Sequence, residues 1–371
     1  MELPPMIDRR LLTSIDWVLA GLVLTICLLG VLNIYSATTP YKIVGMPYYL
    51  KQLYWMLVGI AISLAVCSRD YHILEDISYW FYGFLVLLLI AVLVIGRRSM
   101  GATRWLNLGF FNIQPSELMK IVIIVTFARF FNNFHAVGSL TVKDVLIPLS
   151  LLAMPVALIM KQPDLGTATL ISLIALSMIM YVGLRWYTIV TFVCVAIPMA
   201  WLGWAFVFRP YQKNRVLDFL NPERSRLGSG YHIIQSKIAV GSGGLTGKGF
   251  VKGTQSQLRF LPEQHTDFAF SVFAEEWGFI GCLLLIAIYF MLVLWGLNIA
   301  NRCNDRFGGL LAIGVTAMLF WHTVINMGMV IGMFPVVGVP LPFFSYGGTS
   351  MITSMVGIGL LQNISMRRFM F

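Results

Sequence analysis

The sequence predicts an all-α, polytopic membrane protein with about ten transmembrane helices and one long extracytoplasmic loop between spans seven and eight. Three observations predict it. Of 371 residues, 58% are hydrophobic and 11% charged, whereas a soluble globule carries about 25% charged residues. The mean hydropathy is +0.81. Charge-free windows of about 20 residues, enough to cross the hydrocarbon core, recur along the chain. A water-soluble enzyme is excluded at this level.

The windows give the elements in order. Arg9 and Arg10 precede a charge-free run over residues 17–41. That run is longer than the ~7 to 15 apolar residues of a signal-peptide core, so residues 17–35 are read as a retained first span. Further spans are expected at residues 53–67, 77–95, 116–131 and 145–160, then at 165–184, 186–208, 268–300, 310–333 and 348–366. Residues 307–366 hold no charge over 60 positions, too many for one crossing, and Pro335, Pro340 and Pro342 divide them into two helices. A break at membrane depth is tolerated only where protein or a cavity surrounds it.

Basic residues set the orientation. With a cytoplasmic N-terminus, the inner side collects Arg9, Arg10, Arg69, Arg129, Lys143, Arg185, Arg302, Arg306, Arg367 and Arg368. The outer short loops collect only Lys42, Lys51, Arg97, Arg98, Arg104 and Lys161, and this bias places both termini inside. Residues 209–266 then lie outside, within a single integral membrane domain spanning residues 1–371. Eight glycines fall between Gly228 and Gly253, and a mobile lid or an interface is expected, since long loops are usually functional.

The net charge of +10, from 26 Lys and Arg against 16 Asp and Glu, accompanies no basic run interleaved with aromatics. It reads as membrane-surface charge or a field for an anionic lipid, not as a nucleic-acid surface. Cys27, Cys67, Cys194, Cys282 and Cys303 form no CxxC pair, and HExxH is absent, so neither a disulfide framework nor a zinc site is supported. The glycine-rich run at 241–249 is not a P-loop, because Ser242 stands where glycine is required and Gly249 where Ser or Thr is required. His72, His135, His232, His265 and His322 are too scattered for a ligand set, and His322 is read as a hydrogen-bonded core residue.

Ionisable groups in spans cost roughly 2.5 to 3.5 kcal/mol each at mid-membrane, so each needs an account. Glu117 and Lys120 in span four, Asp164 opening span six and Asp267 opening span eight all fall on the expected outer face, where they should converge. Glu117 and Lys120 share one helical face. Either they pair locally behind Pro115, with Glu117 answering the helix dipole, or they line a polar cavity. Arg97, Arg98, Arg104, Lys161 and Arg215 lie on the same side, as solvated loop charge or as a grip on a diphosphate head group. Asp267 is either an N-cap or a general base with a pKa raised by apolar surroundings. Glu275 and Glu276 are expected roughly 12 to 14 Å deeper along that span, facing the bundle interior.

Several stretches run in one order and spacing: Gly228-Ser-Gly-Tyr-His-Ile-Ile-Gln-Ser-Lys237, Gly241-Ser-Gly-Gly244, Gly253-Thr-Gln-Ser-Gln257 and Phe260-Leu-Pro-Glu-Gln-His-Thr-Asp-Phe268. With Pro115-Ser-Glu117, Ala274-Glu-Glu276 and Pro342-Phe-Phe-Ser-Tyr-Gly-Gly348, the chain resembles the SEDS family (shape, elongation, division and sporulation) over essentially all spans. The Gly253 to Gln257 stretch resembles its elongation branch rather than its division branch. The resemblance implies a peptidoglycan glycosyltransferase of the cytoplasmic membrane, with its active site facing the periplasm or cell exterior. It would polymerise lipid II, the undecaprenyl-diphosphate disaccharide pentapeptide, during rod-shape elongation. Implied partners are a class B penicillin-binding protein, the transpeptidase that crosslinks the strands, and the elongation machinery. The family's essential aspartate falls on Asp267, and the Glu and Lys of its fourth span on Glu117 and Lys120. Gln264 stands where relatives often carry a basic or small residue. Substrate-binding candidates are Glu117, Lys120, Arg104, Lys161, Asp164 and Arg215. No cofactor is implied, and whether a divalent cation bridges the diphosphate stays open. A lipid-linked precursor flippase would share the ten spans, intramembrane charges and broken helix, but charges clustered on the outer face favour surface chemistry over a midplane transport site. A non-catalytic scaffold is the third reading.

Overall fold

A computed structural model describes residues 15–40, 45–99, 102–107, 112–134, 139–225, 228–261 and 263–367. Arg9, Arg10, Lys42, His135 and Arg368 lie outside the described residues, as do the side chains of Arg97 and Arg98. Ten long helices fall on the ten expected spans: α1 (Trp17–Thr38), α2 (Tyr48–Ser68), α3 (Ile73–Ile95), α4 (Pro115–Asn133) and α5 (Val142–Lys161). They continue with α6 (Leu165–Val182) and α7 (Trp186–Leu202). After a connecting segment come α11 (Ala269–Arg302), α12 (Arg306–Ile331) and α13 (Gly348–Arg367).

Local chemistry sets several ends. Asp16 caps α1 by accepting from the Leu19 amide at 3.1 Å, Pro115 occupies the first turn of α4, and Asp305 caps α12 by accepting from the amides of Phe307 and Gly308. Gly332, at φ 78°, ends α12 in the left-handed region.

Eight of the ten helices are long and apolar enough to cross a membrane; the others are α4 and α13. Those two bury polar side chains, Ser116, Glu117, Lys120 and Thr126 on α4 and Thr353, Ser354, Gln362 and Asn363 on α13, which lowers their hydropathy without exposing charge to lipid. At the centre stands α12, packed against α4, α6, α11 and α13, while α2 pairs with α13, α3 with α4, and α1 with α11. The periphery holds α7, whose only buried residue is Thr188.

Two connections carry secondary structure of their own. Between α3 and α4 the chain forms three short antiparallel strands in the order β1 (Arg97–Ser99), β2 (Ala102–Asn107), β3 (Asn112–Ile113). Residues 209–266, expected as a mobile lid or an interface, carry α8 (Pro210–Leu220), α9 (Ser229–Ser242) and the single turn α10 (Thr254–Gln257). Helix α9 docks on α11 and α12, where the Ser236 hydroxyl donates to the Val330 carbonyl at 2.7 Å and lies 2.9 Å from Ser271 Oγ.

One difference from expectation concerns depth. Gly278 interrupts α11 at φ 64° and ψ −162°, a conformation open to glycine. The two sides of the break meet different parts of α1. Asn33 donates to the Ala269 carbonyl and Ser36 to Glu276, whereas Trp295 donates to Asp16 at the start of α1. Residues 269–277 therefore climb toward the end of α1, and the chain reverses at Gly278. Glu275 and Glu276 lie nearer that end than Asp267 does, correcting the expectation that they sit deeper.

Candidate active site

Asp267 lies just before α11 and keeps partial exposure. Its carboxyl makes no hydrogen bond with another described residue, so its place is set by its backbone. The main-chain carbonyl accepts from the Asn326 amide nitrogen at 3.0 Å. A methyl group built on Gly338 would stand 3.2 Å from Asp267 Oδ2, so the 335–342 segment passes directly beside the carboxyl. Burial first, then the neighbouring Glu263, push the Asp267 pKa up to about 6, against the pull of Arg215 and Arg104, with Asp164 adding a small rise. Such a carboxylate is ionised at neutral pH yet basic enough to accept a proton.

The β2 strand and α8 bring the cations, and the start of α6 brings Asp164. Arg104 stands 3.8 Å from Asp164 Oδ1 and donates to the Pro163 carbonyl. Asp164 caps α6 through Thr167, whose amide and hydroxyl donate at 3.3 and 2.9 Å, and it accepts from Gln114 at 2.9 Å. Arg215 from α8 shares this field. Burial and the Arg104 charge pull its pKa below the ordinary value, while Tyr211, Asp267 and Asp164 oppose that shift. Two guanidinium groups beside a carboxylate suit an anionic head group, since guanidinium donors match diphosphate oxygens.

Glu117 and Lys120 pair with each other, not with that cluster. Lys120 Nζ lies 2.8 Å from Glu117 Oε2 and 2.8 Å from His322 Nε2, and the two side chains are 7% and 1% exposed. The charges are enclosed and offer no open surface to a substrate. Lys161 is exposed at the end of α5 and makes no hydrogen bond or ion pair with the described residues. Glu275 is bound by the connecting segment, accepting from Lys248 Nζ at 2.8 Å, Thr254 Oγ1 at 3.1 Å and the amides of Gln255 and Ser256. Among the described residues no three His, Cys, Asp or Glu side chains converge as a metal site. Two apolar cavities of about 690 and 440 Å³ open on α2, α3 and α4 and on α1, α2 and α13, and Asp267 lines neither.

Sequence reasoning missed Asn326 and Gln114. The available signal was positional: His322 and Asn326 are four apart in a helix with no charge after Arg306, so both fall on one face.

A half-buried carboxylate of raised pKa beside two guanidinium groups, on a polytopic all-α scaffold, is an arrangement suited to a membrane protein that handles an anionic ligand. The chain belongs to the FtsW, RodA and SpoVE family, described as cell cycle proteins, which matches residues 16–369. It is 45% identical over 316 residues to the peptidoglycan glycosyltransferase MrdB of Escherichia coli K12, covering 84% of each chain. It is 33% identical to the peptidoglycan glycosyltransferase RodA of Treponema pallidum, across 97% of this chain and 99% of that one. A solved peptidoglycan synthase complex, described for its coordination of polymerization and crosslinking, matches with a TM-score of 0.82 at 30% identity, over 96% of this chain and 99% of that chain. The rod shape determining protein RodA of Thermus thermophilus matches with a TM-score of 0.71 at 29% identity, over 96% and 98%.

Proposed function

We infer that this chain is a peptidoglycan glycosyltransferase that polymerises lipid II during rod-shape elongation, with Asp267 as general base. One observation carries the chemistry: Asp267 is partly accessible, poised near pH 6 and shares its surroundings with Arg104 and Arg215. The 4-hydroxyl of a GlcNAc on one lipid II attacks the anomeric carbon of the MurNAc at the end of the growing strand. The new C–O bond forms as the bond to the diphosphate breaks, the hydroxyl proton passes to Asp267, and undecaprenyl diphosphate leaves. An α-linked donor giving a β1,4 bond requires inversion, so one displacement suffices without a covalent nucleophile. The base supplies ~10² to 10⁴-fold, and each cation stabilising the leaving diphosphate is worth about 3 to 4 kcal/mol.

Arg104 and Arg215 are the preferred diphosphate contacts, with Lys161 at the rim and Asp164 orienting Arg104. Glu117 and Lys120 support the site from behind. The resemblance to a complex that couples polymerization to crosslinking supports a class B penicillin-binding protein as partner. The distribution of basic residues supports cytoplasmic termini and an outward-facing site.

The test uses the purified complex with its partner in detergent. Asp267→Asn folds and binds the partner, yet polymerises lipid II at least about 10²-fold more slowly. Polymer formed by that variant at the wild-type rate would refute the base assignment. Wild-type complex that makes no polymer without a bilayer to cross would favour transport.

A further inference from the structure

We propose that Asn326 is a positioning residue for Asp267, and that His322, one turn earlier on α12, extends the tie to the Glu117–Lys120 pair. The proposal rests on the reading of Asp267 as general base.

The Asp267 carboxyl has no hydrogen bond of its own with the described residues, so whatever holds its main chain decides where the base stands. Asn326 is fully buried. Its amide nitrogen lies 3.0 Å from the Asp267 carbonyl and 2.7 Å from the Val339 carbonyl, so each of its two N–H groups has one acceptor. Two carbonyls around one nitrogen also fix the orientation of the amide, because the reversed form would set oxygen against oxygen. Asn326 thus joins the turn carrying the base to the segment whose Gly338 lies against the same carboxyl.

His322 acts on the next carbonyl. An ammonium only donates, so His322 Nε2, 2.8 Å from Lys120 Nζ, is an acceptor. The ring proton then sits on Nδ1, which points at the Pro340 carbonyl at 3.3 Å. The neighbouring carbonyls of Val339 and Pro340 are therefore held by one face of α12, and that face is locked to α4 through Lys120 and Glu117. On this account the buried ion pair acts at a distance: it fixes the face of α12 that fixes the base. Misplacement of a catalytic group by about 1 Å can cost 10²-fold.

The experiment measures kcat, KM and the pH profile of lipid II polymerisation for the purified partner complex. It compares wild type, Asn326→Ala, Asn326→Ser and Asp267→Asn. The wild-type profile is expected to show an acid limb near pH 6, set by Asp267 within the field of Glu263, Arg215, Arg104 and Asp164. Asn326→Ala is expected to lose kcat by about 10²-fold with KM within about twofold. Its acid limb should move toward the ordinary carboxylate range as water reaches the released turn. Asn326→Ser keeps one donor and recovers part of both effects. Three outcomes overturn the proposal: an alanine variant with wild-type kcat, a loss of kcat with an unmoved acid limb, or failure of both Asn326 variants to fold, which would make the amide a folding residue. An active Asp267→Asn would sink the base reading and this proposal with it. An inactive Asp267→Asn beside an unaffected Asn326→Ala sinks this proposal alone.

Discussion

Lys120 shows what a buried charge demands of its neighbours. At 1% exposure its side chain has no solvent to fall back on, so Glu117 and His322 supply its acceptors. Removing one member of a buried pair typically costs about 3 to 5 kcal/mol, because the other charge is stranded, while an apolar or neutral replacement of both costs far less. Glu117→Gln and Lys120→Met should each lower the melting temperature in detergent markedly, and the double variant should recover most of the loss. Asp267 carries the opposite cost. Its pKa is raised from 3.8 to about 6, so the folded state binds the proton more tightly than the unfolded chain does. Its own contribution to stability is most favourable below pH 3.8 and falls as pH rises through the window to about 6, by at most about 3 kcal/mol and less where solvent reaches the carboxyl. Asp267→Asn should therefore melt higher than wild type at pH 7.5, with the gain vanishing near pH 4. A wild-type melting point at pH 7.5 would contradict the raised pKa.

At the scale of elements, the broken helix α11 explains the glycine-rich segment. The turn at Gly278 frees the amides of Phe279 and Ile280 and the carbonyls of Glu275 and Glu276 from helical partners. The segment after α9 takes all four: the carbonyls of Gly244 and Leu245 accept the two amides, and the amides of Lys248 and Gly249 donate to the two carbonyls. Buried backbone groups left unpaired would each cost a few kcal/mol. The approach is too close for a side chain, since a methyl on Gly247 would lie 2.0 Å from the Glu276 carbonyl oxygen. Gly247→Ala should undock the segment, seen as faster hydrogen exchange at Lys248 and Gly249 and as new protease cleavage nearby. Gly241→Ala, where a methyl meets nothing within 4 Å, should leave both unchanged. A protected Gly247→Ala segment would show that the glycine is not required.

For the whole molecule, a lipid-facing surface as apolar as the core removes the usual inside-outside contrast. Trp80 and Phe206 are 82% and 80% exposed, yet no solvent-facing role follows for them, because the bilayer covers such positions. The expected topology places the connecting segment outside the cytoplasm and the α11–α12 turn inside it. In a background lacking the five native cysteines, Lys252→Cys should react with a membrane-impermeant maleimide in spheroplasts, and Asn301→Cys only after permeabilisation. The reverse pattern would invert the orientation and move the site to the cytoplasmic face.

Span positions were legible in the sequence because transfer into lipid is a sum over neighbouring residues, so composition in a window of about 20 suffices. Residues 165–184 and 348–366 were expected to be helical, and Leu165–Val182 and Gly348–Arg367 are. Asp267 could be singled out in the same local way, as an acid beginning an apolar run. Tertiary structure alone decided that Glu275 and Glu276 point back toward the end of α1, that Lys120 is enclosed by His322, and that Asn326 donates to the Asp267 carbonyl. Each of these depends on one glycine torsion or on contacts between positions tens to hundreds of residues apart, and no local sum over the sequence contains them.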